Sequence, residues 1–245
     1  MARLELDDII LLEDDDHLVV NKPAGLSTLN DRNDPGNLLV WVRTRFPEAT
    51  VAHRLDKDTS GVLVLAKNDD AYRHISMQFE QREVRKIYHA VVDGTSDYRG
   101  QEVDAPILRL PDGTVRISRQ GKPSLTRFST LETYARHALV EASPVTGRTH
   151  QIRIHLALLG TPLAGDVIYG GKPVLLSSLK RGYKTGKIRQ EADAEEEGER
   201  PLMQRMALHA QKIEFKAADG HLIQAEAPYP KDFKALLNQL RRHLR

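Results

Sequence analysis

Residues 53–61 read His-Arg-Leu-Asp-Lys-Asp-Thr-Ser-Gly and combine an arginine, a carboxylate and a turn of small residues. The stretch 62–66, Val-Leu-Val-Leu-Ala, follows at once and predicts a buried strand. A polar loop beside a buried strand is a common mount for a reactive side chain, because the strand fixes the backbone while the loop stays accessible. Asp56 is therefore the first candidate for a nucleophile or a base.

Seven of these nine positions match His-Arg-Leu-Asp-x-x-Thr-Ser-Gly, and in them the chain resembles the RluA-type pseudouridine synthases, which isomerise uridine to pseudouridine in structured RNA. Further segments resemble landmarks of that family and occur in its order. They are 21–25 (Asn-Lys-Pro-Ala-Gly), 85–88 (Arg-Lys-Ile-Tyr), 146–153 (Thr-Gly-Arg-Thr-His-Gln-Ile-Arg), 165–170 (Gly-Asp-Val-Ile-Tyr-Gly), 208–210 (Leu-His-Ala) and 227–228 (Ala-Pro). The resemblance thus spans residues 9–232.

The hydrophobic pattern predicts an α+β fold with a largely antiparallel sheet, because strands outnumber helices and local hairpins dominate. Strands are predicted at 9–13, 17–21, 62–66, 87–92, 128–134, 138–144, 208–216 and 222–227. Helices are predicted at 38–46, after a cap at Asn68 or Asp69, after a cap at Thr149, and from about Lys231. The resemblance implies the pseudouridine synthase fold, a bent, mostly antiparallel mixed sheet with flanking helices and a central active-site cleft.

The resemblance implies a single catalytic domain over residues 1–245, with a charged insertion at 172–206 and a basic C-terminal helix at 231–245. The insertion begins basic and turns acidic, and its high charge and few large apolar side chains favour a mobile loop. It is either a solvated excursion without function or a flap that contacts RNA. On the second hypothesis, removing residues 175–204 changes RNA affinity or choice more than fold stability.

The bulk composition of the chain favours a cytoplasmic protein. There are no cysteines, which excludes disulfides and thiolate metal sites, and no apolar run approaches the ~18 residues that span a bilayer. The N-terminus lacks the pattern of a secretory signal. The net charge of +2 does not by itself indicate a nucleic-acid partner. Basic residues nevertheless cluster around 82–86, 109–122, 180–189 and 241–245.

The reaction implied by the resemblance moves the attachment of uracil from N1 to C5. It breaks a C–N bond and makes a C–C bond without redox change, so no cofactor is expected. It requires a nucleophile or a strong base beside the sugar, as carboxylates provide in glycoside hydrolysis. Asp56 fits this requirement, and three roles remain open: attack on the sugar, attack on the base, or removal of a 2′ proton.

Two further residues complete the catalytic set that the resemblance implies. Arg153 is the matched partner of Asp56, and a guanidinium against the carboxyl would favour its charged form and lower its pKa. Lysine would replace it poorly, because lysine lacks the planar fork. Tyr88 lies in an apolar strand, where it packs on the target uracil and its hydroxyl is a candidate for C5 deprotonation. A phenol needs a lowered pKa for that second role.

The resemblance also implies a set of RNA-contacting residues: Arg54, His53, Thr59, Lys86, Arg148, His150, Gln151 and Leu208. A uridine inside folded RNA has to leave its stack before it reacts, so a protein group fills the vacated space. Arg54 is placed to do this beside the catalytic carboxylate. For His53, packing or a backbone hydrogen bond is the alternative. The expected partner is ribosomal or transfer RNA, bound by a monomer without a metal or a membrane.

Other classes of function have weaker support in the sequence. A hydrolase would use Ser60 or Ser143 with a histidine and an aspartate, but there is no Gly-x-Ser-x-Gly elbow. A metal site at His150 and His155 is disfavoured, because five residues of spacing put them about 140° apart on a helix.

The serious rival is a catalytically idle RNA-binding or chaperone module on the same fold. The presence of Asp56, Tyr88 and Arg153 together argues against it, because an idle protein need not retain any of them.

Overall fold

The structure is a computed structural model that describes residues 4–29, 36–180 and 199–243. The strands are β1 (Ile10–Glu13), β2 (His17–Lys22), β3 (Thr50–Val51), β4 (Ser60–Ala66), β5 (Arg85–Asp93), β6 (Arg99–Asp104), β7 (Ile107–Arg109), β8 (Val115–Ile117), β9 (Leu125–Thr133), β10 (His137–Pro144), β11 (Leu208–Lys216) and β12 (Leu222–Glu226). The helices are α1 (Leu38–Arg43), α2 (Asp69–Gln81), α3 (Gln151–Leu158), α4 (Leu176–Leu179) and α5 (Lys231–Arg242).

A ten-stranded sheet forms the body of the protein, and its main path runs β1-β2-β4-β11-β5-β10-β9-β6. The strand pairs are antiparallel except that of β4 with β11, which is parallel and brings Ser60 opposite His209. The predicted α+β class and mostly antiparallel mixed sheet are therefore confirmed. β7 and β8 form a separate two-stranded hairpin.

Strand β4 is buried on both faces because helices cover both sides of the sheet at this point. On one face Val62 and Val64 pack with Ile75 of α2, and on the other Leu63 and Leu65 pack against α1. Burial on both faces explains its continuous apolar sequence. The buried strand therefore fixes the position of the residue at which the loop 53–59 ends.

Gly61 marks the closest approach of β11 to the start of β4. Its φ is +116°, and a Cβ built there would lie 2.1 Å from the carbonyl oxygen of Ala210. Only glycine fits both the backbone conformation and the space. The glycine of the loop motif is therefore required for strand pairing.

The helix caps agree with the sequence at one helix and differ at another. The Asn68 side chain accepts a hydrogen bond from the backbone N–H of Ala71, which confirms the predicted cap of α2. The predicted cap at Thr149 is wrong, because the chain enters α3 through His150 in the left-handed conformation, with φ of 55°. The side chain of Gln151 instead satisfies the loop by accepting from the Arg148 N–H. The first helix is also shorter than predicted and ends at Arg43.

The described ends of the insertion are packed into the protein, so the expectation of a mobile loop over all of 172–206 is wrong there. Val174 and Met203 are buried with Phe233 of α5 in one apolar cluster. The backbone N–H of Ser177 donates to the carboxylate of Glu199, which joins the two ends. Residues 181–198 of the insertion lie outside the described residues.

The C-terminal helix is confirmed, but its inner face is apolar. Phe233, Leu236, Leu237 and Leu240 are buried against the sheet. Arg241, one of its basic residues, forms an ion pair with Glu132 on β9. No helix of the described ranges is long and apolar enough to cross a membrane.

His209 on β11 is completely buried and makes the stability of the fold depend on pH. Its Nδ1 lies 2.9 Å from Ser60 Oγ, and its Nε2 lies 3.1 Å from the Ala227 carbonyl oxygen. Burial lowers the pKa of His209 to about 4. The imidazole is thus neutral in the folded protein at pH 7.

We expect the free energy of unfolding to fall by about 3 kcal/mol through His209 as the pH drops from 6.5 to 4. The unfolded histidine binds a proton below pH 6.5, whereas the folded one does so only near pH 4. Urea unfolding of the wild type and His209→Gln at pH 7.0, 5.5 and 4.0 measures the effect. The stability advantage of the wild type over the variant should shrink by that amount, and a constant difference would contradict the prediction.

Candidate active site

A cleft of about 390 Å³ opens between the loop before β4, strand β5, the loop before α3 and the start of β11. All eleven residues that the resemblance assigned to catalysis or RNA contact line this cleft. They are His53, Arg54, Asp56, Thr59, Lys86, Tyr88, Arg148, His150, Gln151, Arg153 and Leu208. The fold therefore brings together four segments that are far apart in the sequence.

The loop that carries Asp56 is held by its backbone. The Thr28 hydroxyl donates to the carbonyl oxygen of Leu55 at 2.9 Å and accepts from the Leu55 N–H at 3.2 Å. The Thr59 N–H donates to the Asp56 carbonyl oxygen at 3.0 Å and closes the turn. The carboxylate is therefore mounted on a fixed turn rather than on a free loop.

Lys22 also holds the loop that carries Asp56, although it was not among the site residues predicted from the sequence. It is completely buried, and its ammonium donates to the carbonyl oxygens of Pro23, Leu26 and Lys57. Burial lowers the pKa of Lys22 to about 7, and the charge of Arg205 acts in the same direction. The segment 21–25 was the only sequence signal for this support.

One guanidinium, that of Arg153, joins two carboxylates. Its Nη1 lies 3.3 Å from Asp56 Oδ2, and its Nε and Nη2 donate to the two oxygens of Asp166 at 2.6 and 2.8 Å. Burial alone would lower the pKa of Arg153, but Asp166 and Asp56 raise it above its ordinary value. The fork on Asp166 fixes the direction in which Arg153 reaches Asp56.

His150 and Tyr169 form a second group of side chains next to Asp56. His150 Nε2 lies 3.8 Å from Asp56 Oδ2, and its Nδ1 lies 2.9 Å from the Tyr169 hydroxyl. The guanidinium of Arg153 lies over the Tyr169 ring, 5.0 Å from its centroid. Burial lowers the pKa of His150, although the charge of Asp56 opposes the shift. Tyr169 was missed as a site residue, although its segment 165–170 was noted.

Tyr88 packs against the apolar clusters on both sides of the cleft. Burial, and then the charge of Asp56, raise the pKa of its phenol. A raised pKa keeps the hydroxyl protonated, which disfavours proton abstraction in this state of the protein. The packing role is therefore the one that its surroundings support.

Three of the residues expected to contact RNA are engaged within the protein. His53 Nε2 accepts from the Val64 N–H at 3.1 Å, and its ring stacks on Phe79. Burial lowers the pKa of His53 to about 3, so the ring is neutral. Thr59 and Gln151 are buried, and Gln151 bonds to the neighbouring strand β9. Their contribution is to shape the cleft.

The cations that face the cleft from its rim are less enclosed. Arg54 is exposed, and Lys86 and Arg148 are half-buried. Burial lowers the pKa of Lys86 to about 8, which leaves its ammonium mostly charged at pH 7. These three side chains give the cleft a positive rim suited to a polyanion.

Arg205, at the C-terminal end of the insertion, connects the loop that carries Asp56 to helix α5. Its guanidinium donates to Ser60 Oγ at 3.1 Å and to the carbonyl oxygen of Asp58 at 2.9 Å. It also pairs with both carboxylate oxygens of Asp232 on α5. No local pattern predicts these contacts, because Asp232 and Asp58 are 27 and 147 positions from Arg205 in the chain.

We expect Arg205→Gln to lower kcat by about tenfold and to leave KM within about twofold, since the residue positions the loop without lining the cleft. Arg205→Lys should restore part of the loss, because an ammonium still reaches a carboxylate or a carbonyl. Steady-state kinetics with the exposed Arg200→Gln as the control checks this. A change in KM alone would contradict a positioning role.

The structure gives no support to the hydrolase and metal alternatives. Ser60 does pair with His209, but both are buried, and the second imidazole nitrogen meets a carbonyl instead of a carboxylate. His150 faces Tyr169, whereas His155 is buried against Thr126 and the Ala105 carbonyl. The two histidines therefore do not share a ligand.

Known proteins are similar to this chain in sequence. The RNA pseudouridylate synthase family model matches residues 16–158. The ribosomal large subunit pseudouridine synthase C of Vibrio cholerae is 36% identical over 242 residues, covering 97% of this chain and 70% of that protein. The protein of the same name from Escherichia coli K12 is 38% identical over 244 residues, covering 96% and 71%.

Two solved human structures extend the likeness to three dimensions. Human RNA Pseudouridylate Synthase Domain Containing 4 superposes with a TM-score of 0.72 at 28% identity, covering 96% of this chain and 94% of that one. Domain Containing 1 gives 0.67 at 30% identity, covering 94% and 87%. These matches confirm the predicted fold. The chain belongs to the RNA pseudouridylate synthase family, as an RNA-modifying isomerase of the RluA type.

Proposed function

We propose that this isomerase acts on uridine in large-subunit ribosomal RNA, with Asp56 as the reacting carboxylate. One observation carries the role of Asp56. Its side chain is 23% exposed in the cleft, and both Arg153 and His150 approach the same oxygen, Oδ2. Oδ1 has no hydrogen-bond partner among the described residues, so it is available to a substrate. The names of the bacterial relatives support the choice of RNA.

The groups around Asp56 fit the separate steps of the isomerisation. Arg153 holds the carboxylate in place and balances its charge. The carboxylate acts as nucleophile or base while the N1–C1′ bond breaks. Tyr88 then packs against the detached uracil as it turns to offer C5. Once the C5–C1′ bond has formed, the C5 proton leaves to solvent and N1 takes up a proton, so the product has the composition of the substrate.

Release of that proton tests the proposal. RNAs labelled with tritium at uridine C5 should be incubated with the wild type in three separate reactions: large-subunit ribosomal RNA, small-subunit ribosomal RNA and bulk transfer RNA. We expect release from large-subunit RNA alone. Release from transfer RNA alone would overturn the substrate assignment but not the chemistry. Release from none of the three, with each RNA still bound, would overturn the proposed function.

We propose that residues 1–245 act as one catalytic domain and a monomer, without a metal or cofactor. The apolar clusters support the single domain, because one joins β4, α2 and β12 and another joins β5, β10 and α5. Size-exclusion chromatography with light scattering should report a monomer. Dialysis of the enzyme against EDTA should leave tritium release unchanged.

We further propose that the central part of the insertion, 181–198, contacts RNA. We expect its replacement by a short Gly-Ser linker to raise KM severalfold, because the segment contains four lysines or arginines in its first nine residues. The wider deletion of 175–204 removes buried Met203 and should lower the melting temperature by several degrees. Kinetics and thermal unfolding of both variants separate these effects. An unchanged KM and salt dependence in the linker variant would remove the RNA-contact role.

A further inference from the structure

The two most exposed large apolar side chains in the described part of the chain are neighbours, Val167 and Ile168. They are 72% and 69% exposed. They lie in a short 3-10 turn, and both ends of that turn contact the active site. Asp166, just before it, binds Arg153, and Tyr169, at its end, binds His150. The apolar pair therefore lies beside the catalytic residues.

The turn is a rigid support for this pair. The carbonyl oxygen of Asp166 accepts from the N–H groups of Tyr169 and Gly171, and the Asp166 N–H donates to Leu163. A Cβ built on Gly171 would lie 1.8 Å from the Leu163 carbonyl oxygen, so the chain is closely packed there. The exposure of Val167 and Ile168 is therefore a property of an ordered turn.

A basic hairpin adjoins the turn. The Tyr169 ring packs with Ile107 of β7 and Val115 of β8. The β7–β8 hairpin and the residues after it carry basic side chains that form no ion pair with any described residue: Arg109, Arg116, Arg119 and Lys122. Unpaired cations attract a phosphate backbone regardless of its sequence. RNA held there would lie next to the turn, because Tyr169 of the turn packs on the same hairpin.

We infer that Val167 and Ile168 form an apolar wedge that packs against the exposed face of a base next to the flipped uridine. The inference rests on the proposed function, and the occupant is a nucleobase of the substrate RNA. Flipping a nucleotide exposes the faces of its neighbours to water. Aliphatic side chains cover such unstacked faces in other nucleic-acid complexes. The wedge lies between Asp166 and Tyr169, which contact Arg153 and His150, and its turn packs on a hairpin with exposed cations, which favours RNA as its partner.

A double-mutant cycle tests the wedge, with one change made in the protein and the other in the RNA. The target uridine is first mapped with the wild type, and a hairpin containing it is made with normal or abasic nucleotides on either side. For the wild type we expect kcat/KM to fall about tenfold on the abasic hairpin. The double variant Val167→Ser, Ile168→Ser should already show that loss on the normal hairpin. It should lose little more on the abasic one.

The control is Val40→Ser, a 53% exposed valine on helix α1, which should behave as the wild type on both hairpins. Wild-type rates for the double variant on the normal hairpin would overturn the wedge. Equal further losses on the abasic hairpin, in the wild type and in the variant, would also overturn it. Inactivity of the wild type itself would instead count against the proposed function, so the two failures are distinguishable.

Discussion

Asp56→Asn is expected to lower tritium release from uridine C5 by about 10⁴-fold or more. Asparagine keeps the size and shape of the side chain but has no negative charge to act as a nucleophile or a base. The loop should not move, because the backbone bonds at Leu55 and Thr59 hold it independently of the carboxylate. RNA affinity, measured by filter binding, should stay within about threefold of the wild type.

Asp58→Asn is the matched control for this variant. It lies two residues further along the same loop, is exposed, and does not line the cleft. It should retain most of the wild-type rate. If Asp56→Asn kept more than a hundredth of that rate while Asp58→Asn lost it, the reacting carboxylate would have been assigned to the wrong residue.

Arg153→Lys is expected to reduce kcat by about 10²- to 10³-fold, with a much smaller change in KM. Lysine keeps the positive charge, but a single ammonium cannot form the fork on Asp166 and also reach Asp56. The Asp56 carboxylate then loses its fixed partner, whereas the positive rim of the cleft is unchanged.

Separate measurement of kcat and KM distinguishes this effect from lost RNA binding. Arg148→Lys, on the rim of the same cleft, should change KM by less than about threefold and leave kcat alone. Circular dichroism should show that Arg153→Lys is folded, because it still places a cation beside buried Asp166. A large rise in KM with unchanged kcat would mean that Arg153 binds RNA and does not support Asp56.

The residues that line the cleft were predictable from the sequence where they belong to a motif. The residues that hold them in place from other parts of the chain were not. All eleven assigned residues line one cleft, and the Asn68 cap and the buried strand β4 follow from local patterns. Asp166 and Arg205 were missed because their partners are fixed by tertiary packing, which residue spacing does not encode. The prediction of a cap at Thr149 was wrong because His150, in the left-handed conformation, is the residue that precedes α3.

The parallel pairing of β4 with β11 has a consequence for synthesis of the protein. Ser60 and His209, which meet at that junction, are separated by 149 positions in the chain. During translation the loop that carries Asp56 emerges about 150 residues before the strand that seats it. Such distant pairing is also slow to form. The growing polypeptide thus has no finished cleft until β11 has emerged from the ribosome.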